Sequence, residues 1–169
     1  MAEYENSIGE SDEWYTPPFI FDRLNLEFDL DPCSPGQGHW VPAKRIYTKK
    51  DDGLRRVWEG SVFMNPPFGG RNGHVPWLCK FLDHANGIAI LRAYTSSAWW
   101  HSYMHRAQAI LFPNGKTKFI RANGEVGKSP GHGIVLIAMG DKNVEGLSQS
   151  GLGMFWDRRK EVLKGGKPD

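Results

Sequence analysis

The chain has only two cysteines, Cys33 and Cys79. They form no metal-type pair and supply no disulfide framework, so neither a zinc module nor a cross-linked secreted scaffold is expected, and a reduced cytoplasmic setting is the default. Nowhere does the sequence approach the roughly 18 consecutive apolar residues of a membrane-spanning helix, so no membrane partner is expected. Residues 1–12 are polar and acidic. They lack the basic start and apolar core of a signal peptide and read as a flexible lead-in. Internal repeats are absent. Net charge is only +2, so electrostatic binding to a polyanion must come from local clusters rather than from the chain as a whole. Such clusters exist at Lys44-Arg45, Lys49-Lys50 and Arg55-Arg56, and again at Lys116, Lys118 and Arg121. Charges of this kind more often only solvate a surface.

What is present is a chain of 169 residues, 40% apolar and 12% aromatic, which suits one folded domain with a single core. Its most informative stretch is Ser61-Val62-Phe63-Met64-Asn65-Pro66-Pro67-Phe68-Gly69-Gly70. Three apolar residues read as a buried strand. Proline has no N–H for a ladder, so the strand ends at Asn65. The residue before a proline is driven to extended geometry, which holds Asn65 at a strand tip. An amide oxygen at Asn65, a stiffened carbonyl at Pro66 and an aromatic face at Phe68 beyond Pro67 suit a planar amine. The oxygens accept its hydrogens and the ring stacks on its face. The plainer alternative is a strand followed by a proline-rich turn, with Phe68 in the core.

Upstream, Asp12-Glu13-Trp14-Tyr15-Thr16-Pro17-Pro18 leads into a helix over residues 17–26. Thr16 is placed to cap it, with Phe21 and Leu24 facing inward. Trp14 either anchors the N-terminus on the core or walls a pocket together with Tyr15 and Thr16. Phe28-Asp29-Leu30-Asp31 alternates as a strand and stops at Pro32-Cys33-Ser34-Pro35-Gly36-Gln37-Gly38. A strand ending in a carboxylate and a glycine-rich turn is the pattern of a nucleotide-type site. Asp51-Asp52-Gly53 reads as a turn capping a short helix. Downstream, helices are expected near residues 76–82, stopped by Asn86-Gly87, and 97–106, capped by Thr95 or Ser96. Strands are expected at residues 88–91, 109–112 and 133–139, with an extended segment at 117–121. The glycine-rich loop after Phe68 carries Arg71, within reach of a phosphate if it closes over a base. The loop 122–132, with Lys128, suits a DNA-facing surface. His101 and His105 share a helical spacing that metals use, but no third ligand is near, so no metal is expected. Residues 154–164 read as a small amphipathic helix. Helices alternating with apolar strands give an α/β layered sheet.

Asn65-Pro66-Pro67-Phe68 resembles the catalytic motif of amino-methyltransferases that use S-adenosylmethionine. The wider pattern resembles the phage-type DNA adenine-N6-methyltransferase family. Trp14-Tyr15-Thr16-Pro17 matches the family's Trp-x-Thr-Pro element, which implies cofactor contact there. Asp31-Pro32-Cys33-Ser34 is similar to the start of the family's cofactor loop, and Asp52-Gly53-Leu54 fits the pattern ahead of the catalytic strand, with Asp52 accepting from the cofactor's adenine amine. Phe112-Pro113-Asn114-Gly115-Lys116-Thr117-Lys118-Phe119 follows the family's Phe-x-x-Gly-Arg-x-x-Phe, with Lys116 where arginine is usual. That keeps the charge and loses the planar fork. Lys116 and Lys118 are thereby candidate DNA contacts. The resemblance covers residues 13–140 and implies a trimmed Rossmann-like methyltransferase fold, a mixed sheet flanked by helices, with 141–169 as a C-terminal extension. It implies methylation of the exocyclic N6 amine of adenine in DNA, with base flipping, by a protein encoded by a phage or prophage and acting in the cytoplasm of a bacterial host. The same residues suit cytosine N4, an RNA base or a glutamine amide. A non-catalytic nucleic-acid-binding module is the rival of another class.

Overall fold

The computed structural model describes residues 14–67, 69, 72–127 and 132–160. In chain order its strands are β1 (Trp14–Tyr15), β2 (Phe28–Asp31), β3 (Ala43–Ile46), β4 (Val62–Met64), β5 (Gly87–Arg92), β6 (Ala109–Pro113), β7 (Ile120–Arg121), β8 (Ile134–Met139) and β9 (Gly153–Asp157). Its α-helices are α1 (Pro18–Leu24), α2 (Val75–His84), α3 (Ala98–Tyr103) and α4 (Asp141–Gln149). Strands β3, β2, β4 and β5 lie side by side and parallel. Beyond β5 come β8, β6 and β9, each antiparallel to its neighbour, completing a seven-stranded mixed sheet. Strands β1 and β7 form a separate antiparallel ribbon. This is a trimmed Rossmann-like methyltransferase architecture.

The central strands are short apolar runs because both faces of the sheet are covered. On one face Phe63, Ile88, Ile90, Leu136 and Ala138 pack with Ile20, Phe21 and Leu24 of α1 and Val144 and Leu147 of α4. On the other, Val62, Met64, Ala89, Leu91 and Ile137 pack with Leu78, Phe81 and Leu82 of α2 and Trp99 of α3. Each helix contributes the three- and four-residue spacing of one apolar stripe.

Several boundaries differ from the sequence expectations. Helix α1 has Pro17, not Thr16, at its N-cap, and it ends at Leu24 because Asn25 takes a left-handed turn at φ 49°. Helix α2 is closed by Ala85 (φ 58°), ahead of Asn86-Gly87. The N-cap of α3 is Ser97, and the helix tightens after Tyr103 into a 3-10 turn over Met104–Arg106. Of the extended segment 117–121, only Ile120 and Arg121 pair as a strand. The polar stretch ahead of Thr48 contains β3, whose Lys44 and Arg45 are exposed and bridge to Asp29 and Glu59. Residues 153–157 form β9 at the sheet edge, where a helix from 154 was expected.

A buried asparagine ties α4 to the root of β4. Asn143 Nδ2 donates to Asn86 Oδ1 (2.8 Å) and to the Met139 carbonyl (2.9 Å), and Ser61 Oγ donates to Asn143 Oδ1 (2.9 Å). Only 2% of Asn143 is exposed, so water does not replace these bonds. Asn143→Ala is expected to destabilise the fold by about 2–4 kcal/mol, because it removes three hydrogen bonds and orphans the buried Met139 carbonyl and two part-buried groups, on Asn86 and Ser61. Chemical denaturation monitored by circular dichroism would measure it.

Candidate active site

Parallel strands β2 and β4 are adjacent, with Leu30 opposite Val62. They therefore deliver Asp31, the last residue of β2, and Asn65, the residue directly after β4, to the same end of the sheet. The loops that follow them enclose a cavity of about 490 Å³, within the size range of small-molecule sites. The loop carrying Asp52 is drawn in by Gly53. A Cβ at Gly53 would stand 2.2 Å from the Pro32 carbonyl oxygen, so only glycine allows this approach. Trp58 Nε1 donates to the Gly53 carbonyl at 2.8 Å and pins the turn. Asp52 itself lies in the left-handed region at φ 55°.

Asp31 is 97% removed from solvent, being only 3% exposed. Its Oδ1 accepts from the Cys33 N–H at 3.0 Å. Burial pushes its carboxyl from the usual 3.8 to about 7, against the lowering pull of hydrogen bonds from Cys33 and Ser34. Burial, with Asp31 beside it, also holds the Cys33 thiol well above its ordinary range. No cation neutralises the carboxyl among the described residues that perturb it. A buried carboxylate facing a cavity without a partner is suited to a ligand amine or hydroxyl.

Asp31 lacks only a cation, whereas other buried atoms in this wall are without any hydrogen-bond partner among the described residues. They are Thr16 Oγ1, both ring nitrogens of His39, and Asn65 Oδ1. Buried polar atoms are nearly always satisfied, so orphans gathered on one cavity mark where a ligand supplies the partners. The other end of the Asn65 amide is satisfied: Nδ2 donates to the Trp14 carbonyl at 2.7 Å. Burial lowers the His39 pKa, so the ring is neutral near pH 7. It stacks on Trp40, with centroids 4.0 Å apart, and meets Tyr15 edge-on at 4.7 Å. Trp40 Nε1 in turn donates to the Thr16 carbonyl at 2.7 Å.

The structure thus brings together most residues singled out from sequence. Trp14, Tyr15 and Thr16 line the cavity with Asp31, Pro32 and Cys33. Ser34, Asp52, Asn65, Pro66 and Pro67 line it too. Pro17 does not; it is the buried N-cap of α1. Lys116 and Lys118 are exposed on the connection between β6 and β7, away from the cavity wall. Lys116 nevertheless belongs to a basic neighbourhood. Burial and then Arg92 hold the imidazoles of His74 and His132 below their usual pKa, and Lys116 adds to this at His132. The residues proposed from sequence at Phe68, Arg71 and Lys128 lie outside the described residues. His101 is on α3 and His105 in the 3-10 turn, so they do not share one helix as their spacing suggested. Among the described residues, no group of His, Cys, Asp and Glu is arranged to hold a metal. Sequence reasoning missed His39 and Trp77 in the wall. The signal for His39 was its place directly after the glycine-rich turn, beside Trp40.

A family model described as DNA N-6-adenine-methyltransferase (Dam) matches residues 5–145. No curated protein matches the chain. No helix among the described residues is long and apolar enough to cross a membrane.

Proposed function

The chain belongs to the DNA N-6-adenine-methyltransferase (Dam) family, and on that footing we propose that it transfers a methyl group from S-adenosylmethionine to the N6 amine of adenine in DNA, at Asn65-Pro66-Pro67-Phe68. The observation that carries this reading is the Asn65 amide. Its nitrogen is engaged while Oδ1 is buried in the cavity wall with no hydrogen-bond partner among the described residues.

The cavity suits the cofactor on size and on donor chemistry. S-adenosylmethionine, when bound, supplies an electrophilic methyl on its sulfonium. Thr16 and neutral His39 offer hydrogen bonds to hydroxyl and amine groups, and Asp31 accepts from a cation or a hydroxyl. The adenine amine is a weak nucleophile because its lone pair is shared with the ring. Asn65 Oδ1 and the Pro66 carbonyl accept its two hydrogens, which localises the lone pair. Both acceptors then stabilise the positive charge that grows on nitrogen as the methyl arrives, an interaction stronger in the transition state than in the ground state. The amine is hidden in a duplex, so the base must leave the stack. Phe68 is assigned the stacking that offsets this cost, about 1–3 kcal/mol per base. The positive charges of Arg92 and Lys116, which both act on His132, are suited to the backbone phosphates.

The test is transfer of radiolabelled methyl from S-adenosylmethionine to unmethylated DNA, followed by digestion to nucleosides. Label in N6-methyladenine is expected. Label in N4-methylcytosine would overturn the choice of base. Absence of both label and cofactor binding would replace the enzyme with a nucleic-acid-binding module.

A further inference from the structure

The Asn65 side chain is held by a part of the chain 51 residues away, the Trp14 backbone. An amide presents a donor at one end and an acceptor at the other. With Nδ2 given to the Trp14 carbonyl at 2.7 Å, Oδ1 is the end left without a hydrogen-bond partner among the described residues, on a side chain that lines the cavity. Turning the amide over would set Oδ1 against the Trp14 carbonyl, two acceptors face to face, and would aim a donor at the substrate amine. The bond therefore decides whether residue 65 can accept at all.

The Trp14 carbonyl is itself fixed from outside. Strand β1 pairs with β7, Trp14 opposite Arg121 and Tyr15 opposite Ile120. The Arg121 guanidinium lies 5.5 Å from the centroid of the Trp14 ring. Gly127 lies against the same ring, where a Cβ would come within 2.6 Å of Cζ3. The Gly127 N–H donates to the Phe119 carbonyl at 2.8 Å, and the Phe119 side chain is in the core. The ribbon is thus rooted in the core at one end and carries the Trp14 carbonyl at the other.

We propose that the Trp14 carbonyl is the positioning group for Asn65, and that it makes asparagine, and not aspartate, the competent residue there. A carboxylate would accept from an amine at least as well as an amide does. It has no donor for the Trp14 carbonyl, however, and would be repelled from it. A protonated carboxyl restores the pattern, since its O–H donates to Trp14 and its C=O faces the cavity. The kinetic consequence rests on the methyltransferase reading; the hydrogen bond itself does not.

The experiment is Asn65→Asp assayed for methyl transfer as a ratio to the wild type at each pH between 5.5 and 8.5. The ratio removes the pH dependence that both proteins share through Asp31 and His39 of the cavity wall; the other charged groups around the site, Asp52 and Lys49 of the wall and Arg121 of the ribbon, are common to both proteins. It is expected to be down roughly tenfold or more at the alkaline end and to climb as pH falls, by up to about tenfold per pH unit while the carboxyl is mostly ionised. A flat ratio, or wild-type activity at pH 8, would overturn the proposal. A second measurement is independent of catalysis. The Asn65 side-chain amide protons are followed by NMR in the wild type and in Gly127→Val, whose side chain displaces the Trp14 ring. One proton protected from exchange in the wild type and exposed in the variant is expected. An unprotected amide in the wild type would overturn the positioning role. Should the wild type methylate nothing, the functional reading fails, and the amide protection still decides the hydrogen bond.

Discussion

Asn65→Ala is expected to lose methyl transfer by a hundredfold or more while melting close to the wild-type temperature. The rate loss follows from removing an acceptor aimed at charge that develops only in the transition state, where one such group is worth about 10²–10³ in kcat. Stability is spared because opposing terms nearly cancel. The bond to the Trp14 carbonyl is lost, at about 1 kcal/mol, but a buried oxygen with no protein partner is removed as well. Single-turnover rates and thermal denaturation, measured on the same preparation, separate the two effects. A variant that turned over within a few-fold of the wild type would remove Asn65 from the chemistry. A variant that was slow because it was unfolded would leave the rate uninformative, so the melting curve must accompany it.

Asp31→Asn is expected to weaken S-adenosylmethionine binding by about a hundredfold at pH 8 and, in the free protein, to raise stability. The carboxyl titrates at about 7 in the folded chain, against 3.8 for an unburied aspartate. Between those values the folded state holds a proton that the unfolded state has released. The stability due to this group is therefore fully present below about pH 4, falls as pH rises, and is lost above about pH 7. The full span is about 4 kcal/mol. Asparagine keeps an acceptor for the Cys33 N–H and never ionises, so the variant gains on the wild type across that window and holds its advantage at pH 8. Binding runs the other way. A ligand cation or hydroxyl gains most from the ionised carboxylate, and a charged hydrogen bond is worth about 1.5–3 kcal/mol. Near pH 6 the wild-type group is largely protonated and the difference in affinity narrows. Thermal denaturation across pH and calorimetric titration at pH 6 and pH 8 test the two halves. A variant no more stable than the wild type at pH 8 would refute the burial of an uncompensated charge. Equal affinities would remove Asp31 from the cofactor site.

The residues that declare themselves in the sequence are those whose backbone chemistry is forced locally. Two prolines stop β4 at Met64, one residue short of them, and leave Asn65 at its tip, and Asp31 stands where an alternating strand meets a proline and glycine turn. Elements set by distant partners are less legible. Strand β3 is Ala-Lys-Arg-Ile, a weak strand sequence, and it is extended because β2 offers it a parallel edge. Strand β9 carries exposed Met154 and Trp156 and was taken for helix; its conformation is imposed by pairing with β6. The Trp14 carbonyl has no sequence signature at all, because every residue has one. His39 became part of the site only when the turn before it folded back on Tyr15 and Trp40.

The order of strands also dictates an order of assembly. Strands β2 to β5, which lead to Asp31 and Asn65, are close in the chain and find their parallel partners among one another. Strand β6 pairs only with β8 and β9, both synthesised after it. Until β8 arrives, β5 has no partner on its outer side, and Gly87 to Leu91 are all buried in the finished protein. Unpaired apolar edges of this kind invite strand-to-strand association between copies. The antiparallel strand β8 therefore acts as a closing piece, and a ribosome that stalls or terminates before residue 134 releases a chain with nothing to cover the flank of β5.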